Sequence, residues 1–116
     1  MSDFALLFRS SADGQRAAMG TPESAQRSLE VWLKWIGELE SSGRLRDRGQ
    51  PLAMEGRVVT NAAVTDGPFT EVKDILLGFI IITARDLDDA AGIAGGCPIA
   101  IGGGSVEVRP IGTLDI

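Results

Sequence analysis

Apolar residues recur along the chain with two different periods, and these periods predict where helices and strands form. Between Pro22 and Gly43 an apolar side chain appears every three or four positions, as in a helix with one buried face. Thr21 suits the N-cap, Pro22 suits the first turn, and Gly43 can end the helix in the left-handed conformation. The predicted buried face comprises Ala25, Leu29, Trp32, Ile36 and Leu39, with Val31 and Trp35 as a second ridge.

Short apolar runs and alternating patterns predict strands on both sides of this helix. The predicted strands are residues 4–8, 57–60, 63–65, 76–83 and 105–109. A second, shorter helix is predicted to follow Asp86 as N-cap and to be stopped by Pro98. Residues 11–20 are predicted to form a loop and residues 44–54 to be irregular, because glycine and proline interrupt both segments.

The predicted order of elements is β-α-β-β-β-α-β, in one domain covering residues 1–116. Two helices and a mostly antiparallel sheet indicate an α+β fold of the ferredoxin-like, or split βαβ, arrangement. The helices would cover one face of the sheet, and the chain has no third layer for the other face. We therefore expect a homodimer in which two sheets pack face to face, with Trp35 and the wide apolar stripe of the helix in support.

Net charge and composition limit the classes of binding partner and the cellular compartment that we expect for this protein. The formal net charge is −5, and the densest basic stretch, Arg44 to Arg48, is diluted by Asp47, so we expect no nucleic-acid partner. The longest apolar run, residues 75–82, is far shorter than the roughly 20 residues of a membrane helix. The N-terminus lacks the pattern of a signal peptide, and Cys97 has no second cysteine to pair with. We expect a cytoplasmic protein without a membrane partner.

The segment Asp66-Gly67-Pro68-Phe69 has the composition of a turn, since each of its first three residues favours one for a different reason. Asp66 is interpreted first as a turn residue, and alternatively as a general base or a ligand-binding carboxylate. Glu71 and Lys73 follow closely and place both charge signs near this carboxylate. Arg109, on the last predicted strand, can hold an anionic group or pair with Glu107. The predicted ligand-binding residues are Asp66, Glu71, Lys73 and Arg109.

Several kinds of chemistry are not expected in this chain. It contains no histidine, which excludes imidazole as a base, an acid or a metal ligand. Residues 102–104 are glycines, but no phosphate-binding Gly-Lys-Ser/Thr follows them, and no calcium-loop spacing is present. We therefore expect neither a cofactor nor a metal. Cys97 is predicted to be buried and unreactive.

The chain resembles the DGPF-type branch of the YCII-related proteins over nearly its whole length. The resemblance is carried by Val-Thr-Asp-Gly-Pro-Phe-Thr-Glu-Val-Lys-Asp at residues 64–74 and by residues 78–79, 86–90, 97–98 and 104–110. It implies a small bacterial protein that forms a dimeric α+β barrel and has no assigned activity. It also implies an accessory or regulatory role, because related genes often neighbour those of alternative sigma factors. The wider group has a proposed His–Asp catalytic pair, which a chain without histidine cannot form.

Three functions follow as hypotheses. The first is a homodimeric protein that binds a small molecule between its sheets or serves as a regulatory accessory. The second is an enzyme of isomerase or oxygenase-like type, with Asp66 or Glu71 as base and Lys73 or Arg109 as electrostatic partner. The third is a binding module for a protein linked to a sigma factor, which requires an exposed apolar patch outside the dimer interface.

Overall fold

Six strands and four helices are seen in the computed structural model, which describes residues 1–67 and 75–112. The strands are β1 (Ser2–Ser10), β2 (Leu45–Pro51), β3 (Gly56–Val59), β4 (Val64–Gly67), β5 (Ile75–Ala84) and β6 (Ser105–Pro110). The helices are α1 (Ala12–Met19), α2 (Pro22–Ser41), α3 (Leu87–Gly95) and α4 (Pro98–Ile101).

Four strands form one antiparallel sheet in the order β2-β5-β1-β6, and β3 and β4 form a separate two-stranded ribbon. This strand order, with helical connections from β1 to β2 and from β5 to β6, is compatible with the ferredoxin-like arrangement. The α+β class predicted from the sequence is therefore confirmed.

The core lies between this sheet and the helices on one of its faces. Phe4 and Leu6 of β1 stand opposite Ile82 and Ile80 of β5, and all four are buried. Phe8 continues this row and meets the two tryptophans of α2 edge to face, with ring centroids 4.9 Å from Trp32 and 6.1 Å from Trp35. Ile36 and Leu39 of α2 and Ala90 and Ala94 of α3 complete the buried cluster.

The long helix is formed largely as its sequence predicts. Thr21 and Ser24 make a reciprocal capping box at its start, and Gly43 has a φ of 75° after its end. The predicted width of the buried face is wrong, because Leu29 is 53% exposed. Trp35 is only 8% exposed, so it belongs to the core and cannot support a dimer contact as predicted.

Residues 11–20 form helix α1 rather than the predicted loop. Ser11 caps the helix by accepting a hydrogen bond from the amide of Gly14 at 2.9 Å. The hydroxyl of Ser28, in α2, donates to the carbonyl of Ala18 at 2.8 Å and ties the two helices together. No residue of α1 is buried, so no apolar period announces this helix in the sequence.

Residues 45–51 form edge strand β2, although an irregular segment was predicted for residues 44–54. The two predicted breakers have places in this strand. Gly49, with φ 59°, lies where the register with β5 shifts, and Pro51 ends the strand. Three of the seven residues of the strand are charged, as is common at a sheet edge that must avoid pairing with other chains.

The second predicted helix begins as expected and ends earlier. The side chain of Asp86 accepts from the amide of Asp89 at 2.8 Å, which confirms the N-cap. Pro98 does not stop this helix, since α3 ends at Gly95 and Pro98 starts the short helix α4. In the part of the chain described, no helix is long and apolar enough to cross a membrane.

Candidate functional site

The face of the four-stranded sheet that points away from the helices is not covered by any described segment of the chain. Directly opposite residues of an antiparallel pair share a face, so the register of the strands identifies the side chains on it. We call this surface the open face. Its residues are Asp3, Ala5, Leu7 and Arg9 of β1, Asp47 and Gln50 of β2, Leu76, Phe79, Ile81 and Thr83 of β5, and Glu107 and Arg109 of β6.

Two rows across the open face have apolar residues at the centre and polar residues at both edges. The first row runs Gln50, Phe79, Leu7, Glu107, and the second runs Asp47, Ile81, Ala5, Arg109. Phe79 is 36% exposed and Leu76, at the end of the sheet, is 37% exposed. An apolar centre with a polar rim is the usual anatomy of a protein–protein interface.

A group of charged side chains lies at the β6 edge of this face. Glu107 is 3.4 Å from the Nε of Arg9 and accepts from the Nη1 of Arg109 at 3.1 Å. We call these three residues the basic cluster, because two guanidinium groups share one carboxylate. The side chain of Arg109 is 67% exposed and keeps unused N–H donors.

The four predicted ligand-binding residues are distributed over three parts of the chain. Arg109 lies at the edge of the open face, in the four-stranded sheet. Asp66 lies in β4, part of the separate ribbon, so the structure does not place these two side chains in one sheet. Glu71 and Lys73 lie outside the described residues. The ligand-binding role of all four stays a prediction.

Asp66, the first residue of the predicted turn, lies in strand β4. It stands opposite Arg57 of β3, and the Nε of Arg57 is 3.3 Å from its Oδ1. Asp66 and Gly67 are the last two residues of β4, while Pro68 and Phe69 lie outside the described residues. The ribbon itself turns between Thr60 and Ala63, where the amide of Thr60 donates to the carbonyl of Ala63 at 2.8 Å. The Asp66 side chain is 92% exposed, so the chain alone does not desolvate this carboxylate.

The sequence predicts that one face of the sheet is uncovered, but it does not identify which side chains lie on that face. The apolar run of β5 predicts a strand buried on both faces, and it gives no reason to separate Phe79 and Ile81 from Ile80 and Ile82. The separation depends on which helices pack on the sheet, which is a tertiary property. One signal was available: β1 places Arg9 two positions after Leu7, so the face that carries Leu7 also carries a charge.

A family model described as the YCII-related domain matches residues 5–114. This chain belongs to the YCII-related family. No curated protein matches the chain. The family match covers the ribbon, the four helices and every residue of the open face except Asp3.

A second polar cluster in this YCII-related domain joins three elements and has a structural explanation. Asp89, in the first turn of α3, accepts from the Nη1 of Arg44 at 2.8 Å and from the backbone amide of Arg85 at 3.0 Å. The guanidinium of Arg85 also donates to this carboxylate, at 3.3 Å. These bonds, that of Arg44 first, hold the pKa of Asp89 well below its ordinary value. The cluster connects the start of β2, the end of β5 and the start of α3.

Replacing Asp89 with asparagine is expected to reduce stability at neutral pH and to have a smaller effect in acid. The folded state lowers the pKa of Asp89, so its contribution is complete above the unfolded pKa, about 3.9, and is lost as the pH falls toward the folded value. Urea unfolding of both proteins from about pH 6 to about pH 2 measures the difference. Asp88→Asn, on the exposed side of the same turn, is the control. A difference that is constant with pH would contradict this account.

Cys97 is buried, as predicted, and fully shielded from solvent. Burial raises the pKa of its thiol, which keeps it protonated and unreactive. Its Sγ accepts from the amide of Ile99 at 3.4 Å, so Cys97 serves as the N-cap of α4. Among the described residues, no three side chains of the metal-binding types come together as a candidate metal site.

Proposed function

We propose that this YCII-related protein is a homodimer whose two open faces meet and enclose a cleft for a small, largely apolar molecule. The observation that carries the proposal is the apolar centre of the open face, where Leu7, Phe79 and Ile81 lie in two neighbouring rows. A two-layer domain of this kind gains stability by burying such a face, and a second identical sheet is the simplest complementary surface. The face-to-face arrangement is that of the dimeric α+β barrel which the family resemblance implies.

The floor of the proposed cleft determines the class of ligand. Its central positions present aliphatic and aromatic side chains, while the charged residues stand at the β2 and β6 edges. Ala5 is the smallest side chain of the two central rows and leaves space between Ile81 and Arg109. A molecule with an apolar body fits this floor, and Arg109 at the rim can contact a polar group of such a ligand.

A binding role is supported better than a catalytic one. A carboxylate base needs burial to be effective, and Asp66 is exposed within the chain. Glu107, a carboxylate at the β6 edge of the open face, is already engaged by the guanidinium groups of Arg9 and Arg109. The chain also has no histidine for the pair proposed in the wider group. We assign the protein to the DGPF-type branch on the sequence Asp66-Gly67-Pro68-Phe69.

A partner-binding module is the second candidate, and one feature of α2 favours it. Leu29 and Leu33 are one helical turn apart and are 53% and 51% exposed. They lie on the helix side of the sheet, so a dimer formed through the open faces leaves them accessible. This is the apolar patch outside the dimer interface that binding to a sigma-factor-linked protein requires.

The cleft is tested with anilinonaphthalene sulfonate, an aromatic probe whose fluorescence rises in apolar sites. We expect the wild-type dimer to bind the probe and Ala5→Leu to weaken binding by about tenfold or more, because the larger side chain fills the cleft. Ala91→Leu, on the exposed surface of α3, should bind as the wild type does. Light scattering should show a dimer for both variants. Unchanged binding by a dimeric Ala5→Leu would contradict a ligand site between the sheets.

A further inference from the structure

Besides the ion pair of Asp3 with Arg46, whose Nε lies 3.4 Å from the Asp3 Oδ1, the described charges of the open face leave one excess negative and one excess positive group on opposite edges. Within the described residues, Asp47 makes no ion pair, and its carboxylate only accepts from the amide of Gly49 at 2.7 Å. The basic cluster on the β6 edge contains two guanidinium groups and one carboxylate, which leaves one positive charge that no other described residue compensates. Asp47 and Arg109 stand at the two ends of the same row across the sheet.

The first of the two register shifts in β2 places Asp47 on the open face. Leu45 stands opposite Ile82 on the helix side, so two residues later a regular strand would also point its side chain toward the helices. One extra residue between Leu45 and Asp47 puts Asp47 opposite Ile81, and a second shift puts Gln50 opposite Phe79. Bulges often redirect a side chain in this way, and here the redirected side chain is that of Asp47, which has no ion-pair partner among the described residues.

We propose that Asp47 of each protomer pairs with Arg109 of the partner across the dimer interface, so that the two-fold axis runs parallel to the strands. This proposal rests on the proposed function, since it assumes that the open faces meet. When the strands of the two sheets are aligned, as in one common packing of facing sheets, the two-fold axis between them runs either parallel or perpendicular to the strands. An axis parallel to the strands places the β2 edge of one copy over the β6 edge of the other and brings the unlike excess charges together.

The other axis, perpendicular to the strands, is disfavoured by the same charges. It places β6 over β6 and β2 over β2, so the two basic clusters would face each other and the two Asp47 carboxylates would lie on one side. Bringing like charges together at an interface is unfavourable, so this arrangement is the weaker of the two. Facing sheets lie about 10 Å apart, a gap that an arginine and an aspartate can span together.

Charge reversal with rescue tests the pairing. Asp47→Arg and Arg109→Asp should each raise the dimer dissociation constant by about tenfold or more, because like charges would then meet. The double variant restores opposite charges in swapped places and should return the constant to within about threefold of the wild type. The matched control is the same exchange on α1, Asp13→Arg with Arg16→Asp, an ion pair away from the open face. Sedimentation velocity over a dilution series measures the constants, and circular dichroism verifies the fold.

The outcomes separate this pairing from the dimer itself. A wild type that is monomeric overturns the proposed function and the pairing together. If the wild type is a dimer and neither single reversal raises its dissociation constant, the pairing alone is overturned. The pairing is also overturned if the double variant dissociates as readily as the single variants. If one single variant does not fold, the other single variant and the double variant still decide, because rescue requires the swapped charges to meet.

Discussion

Gly49→Ala is expected to destabilise the protein by about 3 kcal/mol, from left-handed backbone strain and overpacking together. Gly49 has a φ of 59°, and a Cβ atom built on it lies 1.8 Å from the carbonyl oxygen of Phe79. Neither backbone can move away without breaking the pairing of β2 with β5. For a domain of this size the loss corresponds to roughly 10 °C in the melting temperature, which differential scanning calorimetry measures.

Gly92→Ala is the matched control for this substitution and should have the opposite sign. Gly92 lies within α3, and a Cβ atom there has nothing within 4 Å. Alanine is favoured over glycine inside a helix by about 1 kcal/mol, so the melting temperature should rise by a few degrees. A Gly49→Ala protein as stable as the wild type would show that β2 does not pair with β5 in the register described here.

Phe79→Lys is expected to convert the dimer into a monomer. Phe79 is the largest side chain at the centre of the open face, and in the dimer a lysine there would be buried against an apolar surface without a partner. Burying an uncompensated charge costs several kcal/mol, so the dissociation constant of the dimer should rise by a factor of about a thousand or more. The monomer itself should fold normally, because Phe79 points away from the core and is 36% exposed.

Leu29→Lys on α2 is the control for this variant. Leu29 is 53% exposed and lies on the other side of the sheet, so the same chemical change there should leave the dimer intact. Light scattering at several concentrations distinguishes the two variants. A Phe79→Lys protein that remains dimeric would remove the open face from the interface, and a monomeric Leu29→Lys protein would place the interface on α2 instead.

Local signals explain which elements the sequence predicts correctly. Helix α2 has its capping box, its proline and its apolar period within the helix itself, so no other part of the chain is needed to recognise it. Asp86 likewise predicts the start of α3, because it is a favourable N-cap residue. The ribbon strands and β5 follow from short β-branched and apolar runs.

The missed elements depend on contacts with distant parts of the chain. Helix α1 is tied to α2 through Ser28, which follows it in sequence and does not mark it as a helix. Strand β2 is recognisable only through its partner β5, because an edge strand with two register shifts has neither a regular alternation nor an apolar run. Glycine and proline in residues 44–54 predict an interruption of regular structure, although a bulge and a strand end accommodate them equally well.

The sequence indicates which charged side chains are candidates for the site, but it does not indicate where the fold places them. Arg109 was selected as an exposed guanidinium on a half-buried strand, and it lies at the rim of the open face. Asp66 was selected from a turn motif, and its ion pair with Arg57 depends on a strand register that the motif does not specify. The sequence does not identify Asp47 as a site residue, because only the bulge between Leu45 and Asp47 places it in the same row as Arg109.

The mass of the purified wild-type protein in solution tests the central claim most directly. Multi-angle light scattering at about micromolar concentration should give twice the 12.2 kDa mass of one chain, because an apolar interface of this kind is expected to dissociate only well below that concentration. A mass of one chain across the concentration range would contradict the meeting of two open faces, and with it the cleft between them.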